Sequence, residues 1–152
     1  MKPINIATVL TILALALGLT SVANAENKAC TNATLKGAFG YSSTGTLLET
    51  YVPPPFAGPF AEVGTQTFDG KGGTTAIATL SSNGNIVPIT VTGTYTVNPD
   101  CTGTLTLQVS PFNATVHANF VIDKDGNAFQ AIETEPGLIV TRMAWRIFTD
   151  KD

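Results

Sequence analysis

One histidine, one tryptophan and two cysteines among 152 residues leave little material for the commonest catalytic and metal-binding designs. His117 alone cannot make a triad, and Ser42, Ser43, Ser81, Ser82 and Ser110 lie in no sequence resembling a nucleophile elbow. Cys30 and Cys101 lack C-x-x-C spacing and, even with His117, fall short of a four-ligand zinc set. Charged residues make up only 12% of the chain. The eight basic ones are dispersed, so the positive stripe that a phosphate backbone requires is missing and nucleic acid is not an expected partner. Glu133 and Glu135 are two apart, but glycosidase-like chemistry needs carboxyls opposed in space, so they read as surface charge near a hairpin. No catalytic residue, metal ligand or cofactor is assigned, and the chain reads as a non-enzyme more readily than as an enzyme.

Long apolar runs are confined to the N-terminus. Lys2 precedes an apolar stretch from about Ile6 to Leu19, and Ala23-Asn24-Ala25 supplies an A-x-A ending, the pattern of a cleaved signal peptide. The stretch is shorter than the roughly 20 residues of a membrane-spanning helix. Cleavage after Ala25 leaves a single domain, residues 26–152, with seven basic against 11 acidic residues, a formal charge of −4. No later run is apolar enough to hold the chain in a membrane, so no stable insertion is expected after cleavage. The expected location is secreted or periplasmic. In that oxidising setting Cys30 and Cys101 are expected to form a structural disulfide.

The mature region also lacks any interval with the 3.6-residue apolar spacing of an amphipathic helix. It holds eight threonine-rich and β-branched runs, with alternation such as Val87, Ile89, Val91 and Val116, Ala118, Phe120, Ile122. Between them "FDGKGGT", "SSNGNI", "IDKDGNA" and "TEPGLI" place Gly beside Asp, Asn, Lys or Pro, the chemistry of tight hairpins. Neighbours in sequence should therefore be neighbours in the sheet. An all-β fold follows, as an eight-stranded antiparallel up-and-down barrel or, alternatively, a β-sandwich. Pro88 should fall at an edge, a bulge or an unbonded ladder position. "DKDGN" superficially resembles the start of a calcium loop, but hairpin chemistry already explains it.

Cys30, "LKGAFGY", "TFDGKGG", "GTYTVNPDCTGTLTL" and "DKDGNAFQAIETEPGLIV" together resemble a group of small secreted bacterial glycine-rich β-barrel proteins, mostly of unassigned function. Gly37 and Phe39 also faintly resemble the first strand of avidin-like and lipocalin-like barrels, where an aromatic plugs one end. The tryptophan cluster of an avidin-like biotin pocket is absent, so the resemblance implies an architecture and no ligand.

A four-residue connection at Glu135–Leu138 would pair Ile132 with Thr141, Gln130 with Met143 and Ala128 with Trp145. Hydrophobicity then assigns Ile132, Ile139, Met143, Trp145 and Ile147 to the interior and Glu133, Arg142 and Arg146 to solvent. Gln130 becomes an inward polar group in need of a partner. The longest early connection, "YVPPPFAGPF" at 51–60, should run toward polyproline II and fold its aromatics over one end of the barrel. It reads as a structural cap, a gate for an apolar ligand, or a protein-docking loop. Phe56, Phe60, Gln130 and Trp145 are accordingly the candidate ligand contacts.

Three function classes remain open. The first is a non-enzymatic exported protein that binds a small apolar or amphipathic molecule. The second is a structural or interaction module of the cell envelope with an extracellular protein partner. The third is a cofactor-free barrel isomerase or cyclase. An internal cavity separates the first and third from the second.

Overall fold

The eight runs become eight strands. The computed structural model describes residues 29–123 and 125–147; the expected signal segment, 1–25, lies outside them. The strands are β1 (Gly37–Leu47), β2 (Gly58–Phe68), β3 (Gly73–Ser82), β4 (Asn85–Val97), β5 (Thr102–Ser110), β6 (Ala114–Ile122), β7 (Ala128–Glu133) and β8 (Leu138–Arg146). Each pairs antiparallel with the next, and β8 pairs with β1 to close an up-and-down barrel. Closure gives every strand a neighbour on both sides, so the sandwich alternative is set aside. Among the described residues no helix is long and apolar enough to cross a membrane.

The seam between β1 and β8 depends on Gly45. A Cβ built there would lie 1.9 Å from the Ile139 carbonyl oxygen, so only glycine lets the two backbones approach this closely. Pro88 pairs with Thr79 of β3 but precedes the pairing of β4 with β5, which begins at Thr90. It therefore sits on an open stretch of β4, where a missing N–H interrupts no ladder with β5.

One end of the barrel is plugged. A 3-10 helix, Asn32–Leu35, lies across it, with Leu35 fully buried. Phe39, Phe68 and Phe129 fill the space beneath; Phe68 packs edge-on to Phe39 and to Phe129, each at 5.6 Å between ring centroids. The Tyr95 hydroxyl donates to the Asn32 carbonyl at 2.9 Å, and the Asn32 side chain accepts from the Val97 N–H at 2.8 Å. A Cys30–Cys101 disulfide spans 71 residues of sequence and ties the segment before the helix to the β4–β5 turn. At the β2–β3 turn the Asp69 carboxylate accepts from the N–H groups of Lys71, Gly72 and Gly73, and these bonds hold its pKa below the usual carboxylate value. Asp123 likewise accepts from the Asn127 N–H.

The β7–β8 hairpin has the expected register, with Ala128 opposite Trp145, Gln130 opposite Met143 and Ile132 opposite Thr141. Its faces are reversed. Ile132, Ile139, Met143, Trp145 and Ile147 are exposed, whereas Leu138, Val140, Arg142 and Ala144 are buried. Gln130 also faces outward. Hydrophobicity alone ranks the two faces wrongly because it cannot see the partners of the arginines. Arg146 donates to the carbonyls of Lys36, Thr34 and Gly126 and lies 4.6 Å from the Phe39 ring centroid, sealing the plugged end. Arg142 finds two acceptors and a counter-charge inside the barrel.

Candidate functional site

The opposite end holds the cavity. Four connections gather there, at 48–57, 83–84, 111–113 and 134–137, because every second connection of an up-and-down barrel returns to the same rim. The first is the proline-rich strap. Its expected extended path is not what the backbone takes: the Tyr51 and Val52 N–H groups bond back to the Leu48 carbonyl, and the Phe56 N–H bonds back to the Pro53 carbonyl. Successive turns fold the strap over the mouth. Side chains of the β3–β4 hairpin fasten it, with Asn83 and Asn85 donating to the Pro55 carbonyl at 3.0 and 3.1 Å and Ser82 donating to the Phe56 carbonyl.

Phe56 meets Phe112 of the β5–β6 turn across the mouth, with ring centroids 6.0 Å apart in an edge-on arrangement. Phe60, near the start of β2, is partly buried against the core. Both phenylalanines line a cavity of about 470 Å³ beneath the strap. The walls are aliphatic, with Leu47, Leu80, Ile89, Val91, Leu107 and Val140 among them. This is within the range of roughly 300–1,000 Å³ typical of small-molecule sites. Gln130 and Trp145 do not join them. Gln130 lies in an outer groove beside Ile132 and Met143, and Trp145 is 51% exposed on β8.

The cavity floor is polar and charged. Phe60, Glu62, Gln66 and Phe68 alternate along β2 and so share its inner face. Arg142, 7% exposed, projects from β8 toward them. Its Nε donates to Ser43 Oγ at 3.0 Å, its Nη1 to Gln66 Oε1 at 3.1 Å, and its Nη2 lies 3.6 Å from Glu62 Oε2. The Tyr41 ring lies under the guanidinium at 4.2 Å, while the Tyr41 hydroxyl donates to Glu62 Oε1. Gln66 passes the network on to Thr74, and Thr74 to the Thr67 carbonyl. Burial first, and then the Glu62 carboxylate, raise the Tyr41 pKa, so the phenol stays a donor.

By sequence, no described protein family and no curated protein matches the chain. By structure, it is similar to a solved barrel described as EF1p2_mFAP2b bound to DFHBI. The TM-score is 0.51 at 17% identity, over 74% of this chain and 94% of that one. The likeness is one of barrel architecture.

Glu133 is the exception in this barrel's floor. Expected at the surface, it points inward from the end of β7 and lines the cavity with Glu62 and Arg142. The hydrogen bonds and ion pairs among the described residues include none to its carboxylate. Burial pushes its pKa up to about 7; Arg142 opposes that rise, and Glu62 and Glu135 add to it. Glu135 stays at the rim, where its Oε1 accepts from the His117 backbone N–H and lies 2.6 Å from His117 Nδ1. His117 itself faces outward, as its place in the β6 alternation indicated.

Sequence reasoning missed Tyr41, Glu62, Arg142, Glu133 and Phe112 as parts of the site. A signal existed for Glu62, which alternates with two phenylalanines. None existed for Phe112, whose turn reads simply as a hairpin until the strap is folded above it.

Proposed function

We propose that the protein is a non-enzymatic, exported binder of a small apolar or amphipathic molecule, held inside the barrel beneath the Phe56–Phe112 closure. The observation that carries this reading is the cavity of about 470 Å³, with aliphatic walls, a buried polar floor and a folded strap for a roof. A barrel of similar architecture with DFHBI bound supports it. Export is supported by the signal-like pattern ending at Ala25 and by the Cys30–Cys101 disulfide, since such bonds persist in oxidising compartments.

The test is recovery of the protein from the exported fraction of its native source, with native mass spectrometry for bound molecules and titration of the emptied protein with the neutral apolar dye Nile red. Saturable binding at one equivalent and a mature N-terminus at Glu26 are expected. Absence of any saturable apolar binding overturns the proposal and moves the weight to a second reading, an interaction module with an extracellular protein partner. That second reading is favoured by one feature, the exposed apolar side chains Ile132, Ile139, Met143 and Trp145 on the outer face of β7 and β8.

A further inference from the structure

The two kinds of polar group in the cavity floor are not equally free to meet a ligand. Arg142 is already engaged: its Nε donates to Ser43, its Nη1 to Gln66, its Nη2 lies 3.6 Å from the Glu62 carboxylate that offsets its charge, and Tyr41 covers the guanidinium plane. Glu62 is likewise committed, one oxygen to the Tyr41 hydroxyl and the other toward Arg142. Glu133 has no such partner among the described residues, yet it lines the same cavity. A carboxyl group half-buried among apolar walls without a donor is costly, and a ligand that supplies a donor reduces that cost.

We propose, resting on the binding reading above, that the cavity selects apolar molecules ending in one hydrogen-bond-donating head group, an amine above all, seated against Glu133, and discriminates against carboxylates. The charges around that seat agree. Facing Glu133 are Arg142 from β8, Glu62 and Tyr41 from β2 and β1, Glu135 from the β7–β8 connection and the neutral phenol of Tyr51 from the strap. With Arg142 offset by Glu62, an ionised Glu133 leaves the floor one negative charge in excess. An anionic head would meet like charge in a medium of low dielectric, whereas an ammonium would complete the balance. A hydroxyl also satisfies Glu133 but gains no charge pairing. Because the pKa of Glu133 is about 7, the preference for an amine should strengthen as pH rises through neutrality.

The experiment is displacement of Nile red from the full mature protein by decylamine, decanol and decanoate, which share a chain and differ in head group, with thermal stabilisation read in parallel. At pH 8 decylamine is expected to bind roughly tenfold or more tightly than decanoate, with decanol between, tenfold being about 1.4 kcal/mol. The amine preference should shrink at pH 6. Glu133→Gln should abolish both the preference and its pH dependence while retaining decanol binding. Decanoate binding as tightly as decylamine, or a preference unchanged in Glu133→Gln, overturns the head-group assignment and leaves the binding reading intact. Failure of all three compounds and of Nile red overturns both. The pH profile of the unaltered protein keeps the assignment testable if the variant folds poorly.

Discussion

The guanidinium of Arg142 lies 4.2 Å from the ring centroid of Tyr41, and both groups reach for the same carboxylate, that of Glu62. The three side chains come from β8, β1 and β2, so this contact joins the closing seam of the barrel to the floor of its cavity. A charge pair in this position stabilises only while every member is present.

Removing one member should expose that dependence. Arg142→Met is expected to cost about 3–5 kcal/mol, because Glu62 is then buried without its counter-charge. Adding Glu62→Gln should restore a large part of the loss. Chemical denaturation of the two single variants and the double variant measures the coupling; strictly additive losses would rule out the pairing as a source of stability.

The stability contribution of Glu133 has a defined sign. Its pKa rises from 4.5 to about 7 on folding, so the folded state holds the proton more tightly than the unfolded state. Its favourable contribution is full below about pH 4.5 and is lost as pH climbs to about 7, on the order of 3 kcal/mol in all. Relative to Glu133→Gln, the unaltered protein should therefore lose Tm across that window and change no further above it. Parallel pH–Tm curves for the two proteins would contradict a partly desolvated, titrating Glu133.

Phe56 closes the mouth against Phe112 without being fully buried. Phe56→Ala should cost about 1–3 kcal/mol, less than the roughly 3–5 of a completely buried phenylalanine. The larger effect should be kinetic, with Nile red leaving the cavity several-fold faster in stopped-flow measurements. An unchanged release rate would make the strap a roof that plays no part in access.

Reduction and replacement of the disulfide bear on the plugged end. Cys30→Ser with Cys101→Ser is expected to destabilise by about 2–5 kcal/mol, since the bond closes a long loop of chain. Non-reducing intact-mass analysis of the exported protein should show a monomer two hydrogens lighter than its reduced form. Two free thiols in that material would count against the bond.

Gly45 offers a steric test of barrel closure. Gly45→Val would drive a side chain into the Ile139 carbonyl, and a loss of at least 1–3 kcal/mol, the usual range for overpacking, is expected by urea denaturation. A neutral substitution would mean that β1 and β8 can separate at this point without consequence.

Much of this architecture was legible in the chain itself. Alternation marked the eight strands, Gly-Asp and Gly-Asn turns set their order, and the "TEPGLI" connection implied the register that pairs Gln130 with Met143. These features are local: a period of two and a tight turn depend on a few adjacent residues. Which face of β8 turned inward was not local. Ile139, Met143 and Trp145 look like core in isolation, and Arg142 looks like surface. Tertiary structure decided otherwise because Gln66 and Ser43, which are 76 and 99 residues away in sequence, hydrogen-bond the guanidinium inside the barrel and Glu62 offsets its charge there. The same closure brought Glu133 into a cavity where no described residue pairs with it, since the neighbours that desolvate a carboxyl group are assembled only when β8 meets β1.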